Sequence, residues 1–260
     1  MVLPIVFIIS HAFKPLDELY AFPPKFFTTR ITLDNFRNLF EIASQGKIPF
    51  SRYLFNSILA CALVILFSIL VSSLAAFSFS FLKYKGKKLL FTANQIAIMF
   101  VPIAFAVPRF IMLNFFGLTD TFLAHIVPLL AMPVGIFLLK QFMDQVPREL
   151  VEAAVVDGAN KWQIYTRIVM PLVKPALVTV AILAFQNSWN NVETSQMFIV
   201  NENLMTLPYY FSTLTMGTSS IASQGISAAA GLILFIPNLV VFIILQNHVM
   251  NTMAYSGIKS

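Results

Sequence analysis

The sequence predicts an all-α, polytopic membrane protein, and three observations predict it. Of the 260 residues, 58% are hydrophobic and 11% charged, against roughly 45–50% and 25% in soluble domains. Mean hydropathy is +0.81. The apolar residues are gathered into charge-free runs about as long as a bilayer is thick, and the Lys, Arg, Asp and Glu fall between them. A soluble enzyme and a disordered tail are excluded, because so much apolar surface cannot be left in water. One cysteine, Cys61, excludes a disulfide-stapled secreted domain and reads as a small apolar residue inside a helix. The net charge of +6 does not point to nucleic acid: with 27 Phe and no basic face of interleaved aromatics, the cations are better explained by orientation in a bilayer.

A helix needs about 20 mostly apolar residues to cross a hydrocarbon core of about 30 Å. Leu54 to Leu82 is uncharged throughout, and Leu89 to Pro108 follows a basic loop. Thr121 to Leu139 has His125 as its sole ionisable group, Pro175 to Val192 extends backwards through Leu172 and Pro171, and Ile226 to Leu245 is a clean final block. Met1 to Phe13 is apolar but reaches only about 20 Å at about 1.5 Å per residue. It lacks both a basic leader and a small-x-small cleavage site, so it reads as the outer part of a first helix whose beginning is absent. The expectation is one transmembrane domain over 1–260 with six transmembrane helices, the first truncated.

Orientation follows from the loop cations. Lys83, Lys85, Lys87 and Lys88 share one loop with no acid, which places that loop in the cytoplasm. Alternation then makes the 140–175 loop and the C-terminus cytoplasmic and puts segments 14–53 and 191–225 outside. The first outer segment dissents mildly, with six cations against four acids. His11, His125 and His248 lie on three separate segments, so no metal site is expected. No GxxxxGK[ST] loop is present, and Gly86-Lys87 lacks its flanking residues, so the chain should not hydrolyse ATP or bind a cofactor itself.

The loop between the fourth and fifth spans reads as structured. Pro147 suits a helix start, Glu149 and Glu152 lie where the helix dipole favours acids, and Leu150, Ala153, Ala154 and Asp157 share a face. Gly158 can take the left-handed conformation that ends a helix, and Asn160 can cap the next. Trp162, Tyr165, Ile168 and Val169 then form a second apolar stripe before Pro171. Physically, such a hairpin is either a docking surface or an amphipathic element lying on headgroups.

The pattern Glu152-Ala153-Ala154, three residues, Gly158, nine residues, Ile168, one residue, Met170-Pro171 resembles the EAA motif of membrane subunits of binding-protein-dependent ABC importers. Met170 stands where that motif normally has Leu, a volume-conserving departure. Phe185 to Asn191, Leu207-Pro208 and the tail Asn251 to Lys259 are similar to the carbohydrate-uptake branch, in particular its smaller, maltose-permease-like subunit. The resemblance implies a heterodimeric pore with a second permease, two ATPase subunits that use ATP and Mg, and an extracytoplasmic binding protein delivering sugar across a bacterial or archaeal plasma membrane. It also implies that Glu152, Ala153, Ala154, Asp157, Gly158 and Pro171 form the ATPase-coupling hairpin, and that the 191–225 loop contacts the binding protein.

Polar groups at membrane depth tend to face a cavity or a partner. Asn94, Gln95, Gln186, Asn187, Trp189, Asn190 and Asn238 are the candidates for a substrate path, Trp189 by stacking on a sugar ring. The plain alternatives are an interfacial Trp and amides that bond neighbouring helices. Arg109 reads as snorkelling to the surface. Pro102, Pro108, Pro128 and Pro133 are expected to kink spans three and four from within. An importer of a non-sugar solute shares the hairpin and remains the nearer alternative. An ion-coupled secondary transporter is disfavoured because no Asp or Glu falls in a proposed span.

Overall fold

The structure, a computed structural model, describes residues 3–23, 25–216 and 221–257. All regular structure among them is helical. α1 (Leu3–Ala12), α2 (Leu16–Leu19) and α3 (Asp34–Gln45) lead into α4 (Phe50–Phe81), an unbroken helix of 32 residues. Next come α5 (Lys87–Met99), a 3-10 turn (Pro102–Phe105), α6 (Ala106–Phe115), a second 3-10 turn (Phe122–His125), α7 (Val127–Leu130) and α8 (Pro133–Met143). The hairpin is α9 (Arg148–Val156), α10 (Lys161–Gln163), a π turn (Ile164–Val169) and α11 (Met170–Leu172). After it run α12 (Lys174–Trp189), α13 (Glu193–Phe198), a 3-10 turn (Glu202–Leu204), α14 (Leu207–Met216) and α15 (Ile221–Gly257).

α4 shows how membrane solvent inverts the usual packing. Ser57, Cys61, Val64, Ser68, Ser72 and Ala76 recur every three or four residues and are buried, while Phe55, Ile58, Leu66, Phe67, Leu70 and Leu74 are exposed. Small residues let neighbouring backbones approach, and the large apolar side chains face outward, where a bilayer rather than water would meet them.

By length and composition, α4 and Ser223–Gln246 can each cross a membrane. Three further pairs qualify together across breaks bent by more than 40°, giving up to five spans. α1, 10 apolar residues long, stands outside that count. The prolines of spans three and four act differently from expectation. Pro102 and Pro133 open their helices, Pro128 is second in α7 and Pro108 third in α6. A first-turn N–H has no intrahelical partner anyway, so all four prolines fit where they stand, and the breaks at Phe100–Val101 and Ala131–Met132 fall just before Pro102 and Pro133.

Contacts divide the chain into two compact units, each assembled from three stretches: 1–60, 118–124 and 189–241 in one, and 61–117, 125–188 and 242–260 in the other. The first has a core of Leu39, Ile48, Tyr53, Leu207, Phe211 and Ala229. Its 191–225 stretch is not an open loop, because α13 and α14 bury Phe198, Leu207 and Phe211. In the same unit the side-chain amide of Asn35 donates to the carbonyls of Ala12 at 3.0 Å and Lys14 at 2.8 Å, against Gly225. Glu18 accepts from Thr28 Oγ1 at 2.9 Å, from the Thr29 N–H at 3.1 Å and from the Thr29 hydroxyl. The Thr29 hydroxyl is the main reason its carboxyl is held down at about 2. The core of the second unit joins Ala76 and Phe77 of α4, Leu139 and Met143 of α8, and Ile164, Tyr165 and Val169 of the hairpin.

Candidate coupling hairpin and polar path

Two backbone devices, placed back to back, set the hairpin's turn. Gly158 has φ +81°, its N–H donates to the Val155 carbonyl at 3.1 Å, and the Ala159 N–H donates to the Ala154 carbonyl at 2.9 Å. This is a Schellman closure, which needs a residue free to enter the left-handed region. Asn160 follows at once as N-cap: its Oδ1 accepts from the Gln163 N–H at 2.9 Å, and Gln163 Oε1 accepts from the Asn160 N–H at 2.8 Å. The capping box satisfies donors that would otherwise be orphaned, so the N-cap of the second helix stands only two residues after the first helix's closing glycine.

Beyond the turn, the Met170 N–H reaches back to the Tyr165 carbonyl, a wider π pattern not evident in the sequence. Pro171 has no N–H and crowds the carbonyl four residues back, and one wide turn before it relieves both problems. The hydroxyls of Tyr165 and Ser73 are 2.7 Å apart and buried, and the Tyr165 ring meets Phe77 at a centroid separation of 5.3 Å. The hairpin is thereby fastened to α4.

The two alanines of the motif have different surroundings. Ala153 is exposed, whereas Ala154 is 9% exposed and belongs to the chain's own core. Glu152, Asp157, Gly158 and Pro171 are exposed. The tip carries large apolar groups in the open, with Val156 at 87% and Trp162 at 59% exposure, and Leu150 nearer the base is 46% exposed. Trp162 thus faces outward, unlike its stripe partners Tyr165 and Val169.

The candidate path residues fall in both units. In the second, Asn94 donates to the Pro133 carbonyl at 3.1 Å, while Gln95, Gln186 and Asn187 are exposed. In the first, the Asn190 and Asn238 amides bond each other at 3.0 and 3.3 Å, and Asn238 also donates to the Leu234 carbonyl at 3.0 Å. Trp189 is 5% exposed and donates from Nε1 to the same carbonyl at 3.0 Å. Its indole is packed within the unit instead of being presented for stacking. Among the described residues no three His, Cys, Asp or Glu could share a metal ion, and the side chain of His248 lies outside what is described.

Sequence reasoning missed Asp120. It takes φ +56°, and its Oδ1 accepts the N–H groups of Val200 at 2.9 Å and Asn201 at 2.7 Å. Nearby, Asn56 donates to the carbonyls of Asn203 and Met205, and Ser57 Oγ accepts from the Leu207 N–H at 2.8 Å. The acid in a Thr-Asp-Thr turn was the one available signal, since Asp tolerates the left-handed region.

The fold and site together define a helical, membrane-type scaffold that carries a capped hairpin with an exposed apolar tip. Residues 68–251 match the family described as the binding-protein-dependent transport system inner membrane component, and the chain belongs to that family. It is 29% identical over 259 residues to the trehalose transport system permease protein SugB of Mycobacterium tuberculosis, covering 99% of this chain and 92% of that one. It is 27% identical over 260 residues to the arabinooligosaccharides transport system permease protein AraQ of Halalkalibacterium halodurans, covering 99% and 91%. In fold it is similar to a chain of a bacterial ABC transporter involved in the import of the acidic polysaccharide alginate, with a TM-score of 0.79 at 19% identity over 95% of this chain and 90% of that one.

Proposed function

We propose that this chain forms half of the translocation pore of an ATP-driven importer for a sugar or oligosaccharide. The observation that carries the reading is the capped hairpin from Arg148 to Leu172, with Val156 and Trp162 exposed at its tip, in a member of the binding-protein-dependent permease family. Sugar is supported by the names of full-length relatives, which transport trehalose and arabinooligosaccharides. The second pore half is a homologous permease, the binding protein delivers solute from outside, and two ATPase subunits supply ATP and Mg chemistry from the cytoplasm, where the C-terminus also lies.

In this reading the hairpin is a lever. Gly158 and Asn160 fix the angle between its arms, Ala154, Tyr165 and Val169 fasten it to the membrane helices, and Val156 and Trp162 fill an apolar cleft of the ATPase. Ala153 allows close approach, and Glu152 and Asp157 set register by charge. Closure of the ATPases on ATP moves the hairpin, and the core it shares with α4 and α8 passes the movement to the pore. Asn94, Gln95, Gln186, Asn187, Asn190 and Asn238 supply amides toward the solute, and Trp189 supports them by holding Leu234.

The test is a pull-down of the chain from detergent-solubilised native membranes, wild type against Gly158→Pro, with uptake of labelled oligosaccharide measured in parallel. Recovery of an ATPase and a second permease with the wild type, and loss of the ATPase alone with the variant, is the expected result. A wild-type chain recovered alone or as a homo-oligomer overturns the reading. Uptake of a different solute class overturns the sugar assignment alone.

A further inference from the structure

We infer that the cleft at the root of the hairpin is a binding site for a phosphate-bearing anion. Two adjoining cavities, about 630 and 350 Å³, share Ser80, Phe81, Lys87 and Arg148. Their walls hold five cations, Lys83, Lys87, Lys88, Lys140 and Arg148, against two carboxylates, Asp144 and Glu152.

Part of that charge is spoken for. Lys140 pairs with Asp144 at 2.5 Å and lies 4.6 Å from the centre of the Phe91 ring, and Lys87 donates to the carbonyls of Leu82 at 3.1 Å and Ser80 at 3.4 Å. Lys88 and Arg148 have no carboxylate partner among the described residues, which leaves an ammonium and a guanidinium fork available to phosphate oxygens. The same walls include Gly86, Lys87 and Lys88, the cap and first two residues of α5, and Arg148, the first residue of α9. Their backbone N–H groups belong to helix starts, where anions are favoured. The Ser80 hydroxyl is buried with no hydrogen-bond partner among the described residues, so turning it toward an anion would cost it no existing bond.

The remaining lining is aromatic, from Phe79, Phe81, Tyr84 and Phe91. Cations beside rings, immediately after the end of a membrane-long helix, match the mixed chemistry of an anionic phospholipid headgroup, and inorganic phosphate shares the charged half. Because Arg148 opens α9, an anion held there would brace the base of the hairpin. That consequence rests on the coupling reading above, whereas binding does not.

Native mass spectrometry of the complex purified in detergent, titrated with phosphatidylglycerol, phosphatidylcholine or inorganic phosphate, tests this. Wild type should retain phosphatidylglycerol over phosphatidylcholine, and Lys88→Gln with Arg148→Gln should weaken that retention about tenfold or more. Lys85→Gln with Lys174→Gln removes equal charge outside the cleft and should leave it within about twofold. Lys88→Arg, which keeps the charge and leaves the Arg148 fork in place, should bind as wild type does and so separates lost binding from lost folding. Displacement of the lipid by inorganic phosphate would make free phosphate the ligand, and persistence would make it the headgroup. Equal losses in the two charge-removing variants would overturn the site, as would a wild type that neither prefers phosphatidylglycerol nor binds phosphate. Recovery of the ATPase in the same spectra reports separately on the coupling reading.

Discussion

The hairpin from Arg148 to Leu172 and the segment from Glu193 to Met216 are each a chain of short helices, yet the bonds that set their shape differ in reach. In the hairpin, the bonds that set the turn are local, Asn160 with Gln163 and Gly158 and Ala159 with the end of α9, and the long-range Tyr165–Ser73 pair only ties the second arm to α4. The second segment has local caps at Asn191 and Asn201 too, but it is also held by bonds that reach across the sequence, from Asp120 to Val200 and Asn201, from Asn56 to Asn203 and Met205, and from Ser57 to Leu207. Local capping sets the turn from within the hairpin and leaves Val156 and Trp162 exposed at its tip. Remote anchoring makes the other segment part of the body of its unit.

The sharpest way to break this contrast is at Gly158. Proline there cannot adopt φ +81° and loses the N–H that closes α9, so the hairpin's angle is lost. ATPase co-purification and uptake should vanish while the chain still inserts in the membrane. Gly225→Ala comes next. Its new Cβ collides with the Asn35 amide, and displacing that buried group should cost about 1–3 kcal/mol in thermal unfolding, with the hairpin's ATPase binding intact. Asp120→Ala removes two hydrogen bonds and leaves a non-glycine at positive φ, an expected loss of about 1–2 kcal/mol that Asp120→Asn should partly restore. Ser73→Ala orphans the Tyr165 hydroxyl and should cost about 1 kcal/mol, recovered when Tyr165→Phe is added.

The smallest effect is on pH. The carboxyl of Glu18 is held at about 2, below its ordinary 4.5. A lowered folded-state value means that its stabilisation is full above pH 4.5 and fades as pH falls toward 2. Acid titration of wild type should show this loss, and Thr29→Ala should reduce it, since the Thr29 hydroxyl is the larger cause.

The same contrast explains what was legible in the sequence. Gly158, Asn160 and the motif spacing were readable because a cap uses neighbours a few residues away. The membrane-long runs were readable because a bilayer imposes a length. Ala153 and Ala154 look alike in sequence, and only the core behind the hairpin decides that Ala154 packs inward while Ala153 stays open. Trp189 is a similar case, since nothing near it signals the Leu234 carbonyl that takes its N–H. Asp120 was overlooked because its partners lie about 80 residues on. The prolines mark the bent spans in the sequence, but a proline that starts a helix and one that kinks it differ only in where the preceding helix stops, which the sequence does not display.

The proposed docking of the ATPase on the hairpin's exposed apolar tip can be tested at one side chain. Val156→Asp addresses it most directly, because a side chain 87% exposed can change without disturbing the fold. The affinity of the purified chain for its ATPase should fall about tenfold or more, with the chain's unfolding temperature unchanged. An unchanged affinity would contradict the account and leave the tip without a coupling role.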